Sequence, residues 1–396
     1  MHSQDFSRDV IIIGAGAAGL MCAATAGYRG RSVLLLEHSN KIGRKILMSG
    51  GGRCNFTNLH NSPSNYLSAN PHFCKSALSR YPAARFIELV ERHGIDYHEK
   101  TLGQLFCDVS SKEILQLLLT ECDWAGVDIR TDSTIYRIDK NADGYRVKTS
   151  AGIWQCQSLV IATGGLSIPN GGATPFAYET AKQFGLKVLP LQAALVPFTL
   201  QPKDLEVFKP LSGVSHRIRA SIRDTAFVEN LLFTHRGLSG PAILQISSYW
   251  DPGAEVEIDL FPELDLLQWL GEQREERPKA DIRTLLGQQM HKRVVQTFCD
   301  LWSFEGPINR FDSRQLAAVA DAFHRWVVKP AGTEGYRTAE VTRGGIDTDE
   351  VSSKTFEAKK VAGLYFIGEC LDVTGHLGGH NFQFAWACGD AAGQYV

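Results

Sequence analysis

Apolar and polar positions along this chain follow two periods, and the switches between them mark its elements. Residues 10–13 are a short apolar run between Asp9 and Gly14, and residues 33–36 are a second; both predict buried strands. Apolar positions recur at helical spacing over 76–93 and 110–122, with 103–107 between them as a short apolar turn. From 134 to 157 the period is two: 134–138, a turn at 141–144, 145–149 and 152–157 predict a three-stranded meander. A buried strand over 158–162 then runs into Gly164 and Gly165. Residues 176–185 read as a helix with a glycine stop, 195–260 as short strands and turns, and 262–328 as helices with charged faces. A last parallel strand over 361–366 precedes a closing helix over 384–392. This order predicts a Rossmann-type α/β domain made from both ends of the chain. Its parts are residues 1–190 and 346–396. A β-rich inserted domain takes 191–261 and 327–345, and a small helical insertion takes 262–326.

The first two strands enclose GAGAAG at 14–19, and Glu37 ends the second. Gly14 suits the tight turn after a strand. Gly16 lets backbone approach a pyrophosphate, and Gly19 lets the next helix pack on the strand. The diphosphate then meets free N–H groups at a helix start, and Glu37 is placed for ribose hydroxyls. Strand, turn, helix, strand and acid in this order specify a dinucleotide. Four features favour FAD over NAD(P): the N-terminal position of the unit, the meander ending at Ala162, Thr163, Gly164 and Gly165, the late strand entering Gly368 and Glu369, and a final helix preceded by Gly378 and Gly379. A second GxGxxG is absent, so a nicotinamide donor, NAD(P)H, is expected to dock transiently. Residues 41–58 read as a loop against an anionic ligand, with Arg44, Lys45 and Arg53 flanking Gly50, Gly51 and Gly52.

Composition narrows the partners. The chain has 396 residues, 44% hydrophobic and 21% charged, with a formal net charge of −2. That charge gives no global attraction to nucleic acid, so RNA contact requires a local basic face. His216, Arg217 and Arg219, and His291, Lys292 and Arg293, are candidate segments whose simpler role is a solvated surface. No apolar run approaches the roughly 20 residues of a membrane span, and the polar opening residues argue against a signal peptide. The nine cysteines are scattered without CxxC or Cys/His clusters, as in a reducing cytoplasm, and no metal site is expected.

The chain resembles the BaiN/RdsA family of FAD-dependent oxidoreductases. The resemblance is carried by GAGAAG at 14–19, GRKILMSGGGRCNFTN at 43–58, VIATGGLS at 160–167, LLFTHRGLSGPA at 231–242, GTEGYRTAEVTRGG at 332–345 and GLYFIGECLDVTGHLGGHNFQFAWACG at 363–389. NPHFCKSALSRY at 70–81 and HEKTLGQLFCD at 98–108 are most similar to the branch associated with 23S ribosomal RNA dihydrouridine synthesis. The resemblance implies a glutathione-reductase-like FAD domain, discontinuous in sequence, with an inserted β-barrel-like domain and a small helical insertion. It implies that Gly14, Ala15, Gly16, Ala18 and Gly19 hold the pyrophosphate and Glu37 the adenosine ribose. Arg44, Lys45, Gly51, Gly52, Arg53, Cys54 and Asn55 would line the cofactor, Thr134 border the adenine, and Thr163 and Gly164 follow the meander. Gly368, Glu369, Gly379, His380, Asn381 and Phe382 would surround the ribityl chain and ring.

For an RNA uridine reductase the chemistry is hydride transfer from flavin N5 to uracil C6 and protonation of C5, on a base taken out of its stack. The acid candidates are Cys54, Cys107, His235, His376 and His380, with Tyr336 as a further one. Arg236, Arg337 and Arg343 are candidates to offset enolate charge or contact phosphate. The expected convergence is of residues 50–55, 235–240 and 376–382. Two other readings remain open from residues alone: a reductase or oxidase of a small enone or amine, and a non-enzymatic flavin-bound RNA or ribosome assembly factor. The oligomeric state is not legible.

Overall fold

A computed structural model describes residues 5–396. The reading of the polar N-terminal stretch falls partly on residues 1–4, which lie outside the described residues. The chain forms two compact units: Met1–Gln192 with Val341–Val396, and Ala193–Glu340. The strand Val341–Arg343, read from sequence as part of the insertion, belongs to the first.

The first unit is built on a seven-stranded sheet. Asp128–Arg130, Val33–Leu36, Asp5–Ile13 and Gly152–Ile161 run parallel; Gly144–Thr149 and Ile135–Asn141 follow antiparallel. Gly152–Ile161 is one strand where the pattern suggested two. Residues 152–156 pair with the meander, while Leu159, Val160 and Ile161 pair in parallel with Leu364–Phe366. No Gly or Pro interrupts it after Gly152. Its inward faces change from alternating to continuously buried as it enters the parallel sheet. The helices Ala17–Tyr28 and His380–Gly393 pack against one another, so both ends of the chain share one core.

Local chemistry explains three further departures from the pattern. The predicted helix over 76–93 is two helices, Lys75–Arg80 and Ala83–Arg92, because Pro82 has no N–H to continue the first and caps the second. Residues 104–107 are a strand, not a turn, pairing with Asn55–Asn58 and Tyr97–Glu99. The glycine-rich loop is more ordered than expected: the helix Arg44–Met48, a tight turn Ser49–Gly52, then the strand Asn55–Asn58.

The second unit is a seven-stranded antiparallel sheet in the order Trp326–Val328, Val256–Asp259, Ser215–Ile222, Thr225–Phe233, Gly237–Ser239, Phe198–Thr199, Gly332–Thr333. The helices Leu266–Glu276, Ile282–Leu286, Lys292–Trp302 and Ser313–His324 fill the connection before Trp326–Val328. They share an aromatic core of Phe298, Phe323 and Trp326 with that sheet. A helix the pattern missed, Pro241–Ser247, follows the GLSG turn.

Candidate functional site

The dinucleotide fingerprint separates into packing glycines and open ones. Gly14 has φ 109, and a Cβ there would lie 2.5 Å from the Ala162 carbonyl oxygen. A Cβ on Gly19 would lie 1.9 Å from the Gly14 oxygen. At Gly16, which caps the helix Ala17–Tyr28, nothing lies within 4 Å of an added Cβ. Gly51, Gly52 and Gly164 are open in the same sense. The Thr163 hydroxyl, next to Gly164, and the Arg44 Nε are buried without a partner. Open backbone at a helix start, an orphaned hydroxyl and an orphaned guanidinium N–H form a donor set for a diphosphate. The first unit therefore fits FAD.

Glu37 is 8% exposed and held by backbone: Ala15 N–H donates to Oε2 at 3.0 Å, and Ser39 N–H to Oε1 at 3.0 Å. Carboxylate oxygens have further lone pairs, so a fixed Glu37 still accepts from ribose hydroxyls. Ala15 itself is corrected by this contact, since its amide serves Glu37 rather than phosphate. Ala18, 6% exposed, is a packing residue of its helix. Thr134 exchanges both main-chain bonds with Ser150: its N–H donates to the hydroxyl at 3.1 Å and its carbonyl accepts from Ser150 N at 2.9 Å. Its amide is thus not available to an adenine.

At the late strand, two residues assigned separately to the cofactor hold each other. Lys45 Nζ donates to Glu369 Oε2 at 2.5 Å and to the Ser167 hydroxyl at 2.6 Å. Glu369 Oε1 accepts from Ser167 Oγ at 2.8 Å and from Thr342 N at 3.0 Å. The Thr342 hydroxyl accepts from Leu166 N at 2.8 Å. Three segments thus close on the carboxylate of a fourth. Ser167 and Thr342 were not singled out from sequence; each lay inside a quoted motif, but nothing local announces their meeting. Gly368 donates its N–H to Cys388 Sγ at 3.1 Å.

The last helix begins at His380, earlier than its apolar pattern, because Gly379 supplies a left-handed cap with φ 95. Its first-turn amides are unpaired within the helix and give a positive end for negative charge. The Asn381 side chain is spent on the loop before it, accepting from Gly375 N at 2.8 Å and donating to Gly375 O at 2.8 Å. Phe382 stacks on Trp386 with ring centres 5.5 Å apart. Asn55 is likewise engaged: in the amide orientation its neighbours satisfy, its NH2 donates to Leu105 O at 3.2 Å and Thr57 O at 3.1 Å, and its oxygen accepts from Gly379 N at 3.1 Å.

The candidate acids divide sharply. Cys54 and Cys107 are 0% exposed, covered by protein alone, and burial raises both thiols to about 12. Neither reaches a substrate or gives up a proton near neutrality, which corrects their assignment as catalytic groups and that of the Cys54 side chain as a cofactor contact. Arg53 is exposed, and its carbonyl accepts from Cys107 N at 3.0 Å. His380 is 5% exposed; burial and the neighbouring His376 lower it to about 3. Burial lowers His376 to about 4. Both imidazoles are neutral at physiological pH. His235 lies exposed in the second unit, in a turn tied by Thr234, whose hydroxyl accepts from Arg236 N and Gly237 N.

The basic segments are partly structural. Arg217 pairs with Glu263 at 2.7 Å, His216 Nε2 meets Leu260 O at 2.8 Å, and His291 Nδ1 caps Arg293 N at 3.2 Å. Among the described residues no His/Cys/Asp/Glu group has the arrangement of a metal site, and no helix is long and apolar enough to cross a membrane.

The family model described as "HI0933-like protein Rossmann domain" matches residues 8–395. The chain belongs to the HI0933-like family. It is 53% identical over 388 residues to the ribosomal RNA dihydrouridine synthase of Escherichia coli K12, covering 98% of this chain and 97% of that one. It is 48% identical over 387 residues to the protein of the same name from Haemophilus influenzae, covering 95% of each. Among solved structures, the 3-ketosteroid-Δ4-(5α)-dehydrogenase of Rhodococcus jostii RHA1 aligns with a TM-score of 0.53 at 14% identity, over 99% of this chain and 98% of that one. That last likeness is one of fold, glutathione-reductase-like and α/β. The chain is an FAD-dependent oxidoreductase.

Proposed function

We propose that this HI0933-like protein reduces a uridine of 23S ribosomal RNA to dihydrouridine in the cytoplasm, with NAD(P)H as the transient electron donor. The observation that carries the reading is the 53% identity, over nearly the whole of both chains, to a ribosomal RNA dihydrouridine synthase. The open dinucleotide cradle supports it. Bound FAD supplies the hydride for a polarised C=C bond.

The chain's own residues do the rest. Gly16, Gly51, Gly52 and Gly164 leave backbone open to the diphosphate, with Thr163 Oγ and Arg44 Nε as donors. Glu37, fixed by Ala15 and Ser39, accepts from the ribose. The Lys45–Glu369 clasp, with Ser167 and Thr342, fixes the orientation of the carboxylate that would meet the ribityl chain. The first turn of His380–Gly393 faces negative charge with backbone N–H groups. Overall, uridine, NAD(P)H and a proton give dihydrouridine and NAD(P)+; the C6–H bond comes from hydride and the C5–H bond from a proton.

The test is purified holoprotein with NADPH and protein-free 23S rRNA, followed by mass-spectrometric mapping. Gain of two hydrogens at a defined uridine is expected. NADPH turnover with small enones but no modified uridine overturns the reading.

A further inference from the structure

Tyr66, Asn61 and His380 meet in a buried cluster, and the number of protons available fixes their arrangement. The Tyr66 hydroxyl lies 2.8 Å from the His380 main-chain oxygen and 2.7 Å from one side-chain amide atom of Asn61. The same Asn61 atom lies 2.8 Å from His380 Nδ1. A carbonyl oxygen only accepts, so the single hydroxyl proton of Tyr66 goes to His380 O. The other contact of the phenolic oxygen is then donated by Asn61, which makes the Asn61 atom its NH2 group.

One hydrogen of that group points at Tyr66 and the other at His380 Nδ1. Nδ1 is therefore an acceptor, and in a neutral imidazole the proton then sits on Nε2. The opposite orientation of Asn61 would set two oxygens without a proton against each other at the Tyr66 contacts, inside protein. Burial supports the same arrangement. It raises Tyr66 well above its usual value, so the hydroxyl keeps its proton, and it keeps His380 neutral. Among the described residues Nε2 has no hydrogen-bond partner, and it is not sealed by protein.

We propose that His380, held by Asn61 and Tyr66 as the neutral tautomer protonated at Nε2, donates a hydrogen bond to the oxygen that becomes negative when a conjugated C=C bond is reduced at this site. This rests on the reading of the site as a flavin-dependent reductase. Two oxygens share that chemistry. Hydride addition at uracil C6 moves the C5=C6 pair toward C4=O, so O4 carries charge until C5 takes a proton. The ring carbonyl of the reduced cofactor is the other. A neutral donor stabilises such charge without surrendering its proton. Asn61 and Tyr66 are positioning residues, acting through the ring they orient.

The experiment uses holoenzyme labelled with 15N-histidine. Long-range 1H–15N correlation is expected to show His380 protonated at Nε2 in wild type, and at Nδ1 in Asn61→Asp, whose carboxylate only accepts. Protonation at Nδ1 in wild type overturns the proposal. His380→Phe is expected to lower kcat for dihydrouridine formation about 10²-fold, as for loss of one oxyanion donor, and His380→Gln, which keeps an N–H donor, is expected to recover part of it. An unchanged flavin potential in His380→Phe assigns the bond to the substrate oxygen, and a lowered potential assigns it to the cofactor oxygen. No change in either quantity overturns the donor role. If wild type makes no dihydrouridine at all, the rRNA reading fails, while the tautomer and potential still decide the role of His380.

Discussion

Lys45 and Glu369, 324 positions apart, are joined at 2.5 Å, and their carboxylate is also gripped by Ser167 and Thr342. Their side chains are 34% and 17% exposed, so removing one leaves the other partly desolvated and unpaired. Lys45→Met is expected to cost about 1–3 kcal/mol, seen as a melting temperature lower by roughly 2–8 °C. The double variant with Glu369→Gln should cost less than the sum of the two single changes. Additive losses would mean that the pair is not coupled.

The fingerprint glycines predict opposite phenotypes. Gly19→Ala places a Cβ against the Gly14 oxygen and should destabilise apoprotein and holoprotein alike. Gly16→Ala meets only open space and should leave the apoprotein melting curve unchanged while weakening FAD binding. Apoprotein melts and FAD titration of both variants check this; an apoprotein equally damaged by Gly16→Ala would contradict the separation.

Thr163→Val removes a buried hydroxyl that the protein itself does not use. The apoprotein should be as stable as wild type or slightly more so. FAD affinity should fall about tenfold or more, the worth of a hydrogen bond to a charged group. Titration by flavin fluorescence measures it.

Cys54→Ala and Cys107→Ala should retain dihydrouridine formation within a few-fold, because both thiols are sealed and pushed up to about 12. Their effect should fall on stability, about 1–3 kcal/mol for trimming a packed interior. In native protein both should resist thiol reagents. Loss of turnover with an unchanged melting temperature would restore them as catalytic groups.

Acid should weaken the first unit through its neutral histidines. Folded His376 and His380 are lowered to about 4 and 3, against 6.5 for a free histidine. The unfolded chain therefore binds more protons as pH falls below about 6.5, and stability falls with it, by at most about 1.4 kcal/mol per pH unit for each ring. The loss ends once pH passes below the folded values, and above pH 6.5 the two rings contribute no slope. Comparing pH-dependent unfolding of wild type and His376→Gln isolates one ring from the carboxylates that also titrate in acid. A variant whose stability falls as steeply as wild type between pH 6.5 and 5 would refute the assignment.

Much of this was legible in the chain. Short apolar runs at 10–13 and 33–36 with glycines between them can bury themselves only as parallel strands around a turn, so the fingerprint, Glu37 and the α/β class follow from local sterics and periodicity. The motifs also named Lys45, Glu369 and His380 individually. Partnership was not legible. That Lys45 answers Glu369, that Ala15 serves Glu37, and that Asn61 and Tyr66 set the proton of His380 depend on contacts between segments far apart in sequence, which no local pattern encodes. Burial was hidden for the same reason. Cys54 and Cys107 sit in motifs rich in polar and glycine residues, and their thiols are buried only once the chain is folded, inside a core drawn from many segments. Local residue order is enough to name the cofactor class this protein is built to hold; which groups remain free to act is set by packing, because desolvation and hydrogen-bond saturation belong to the folded chain and not to its residues one at a time.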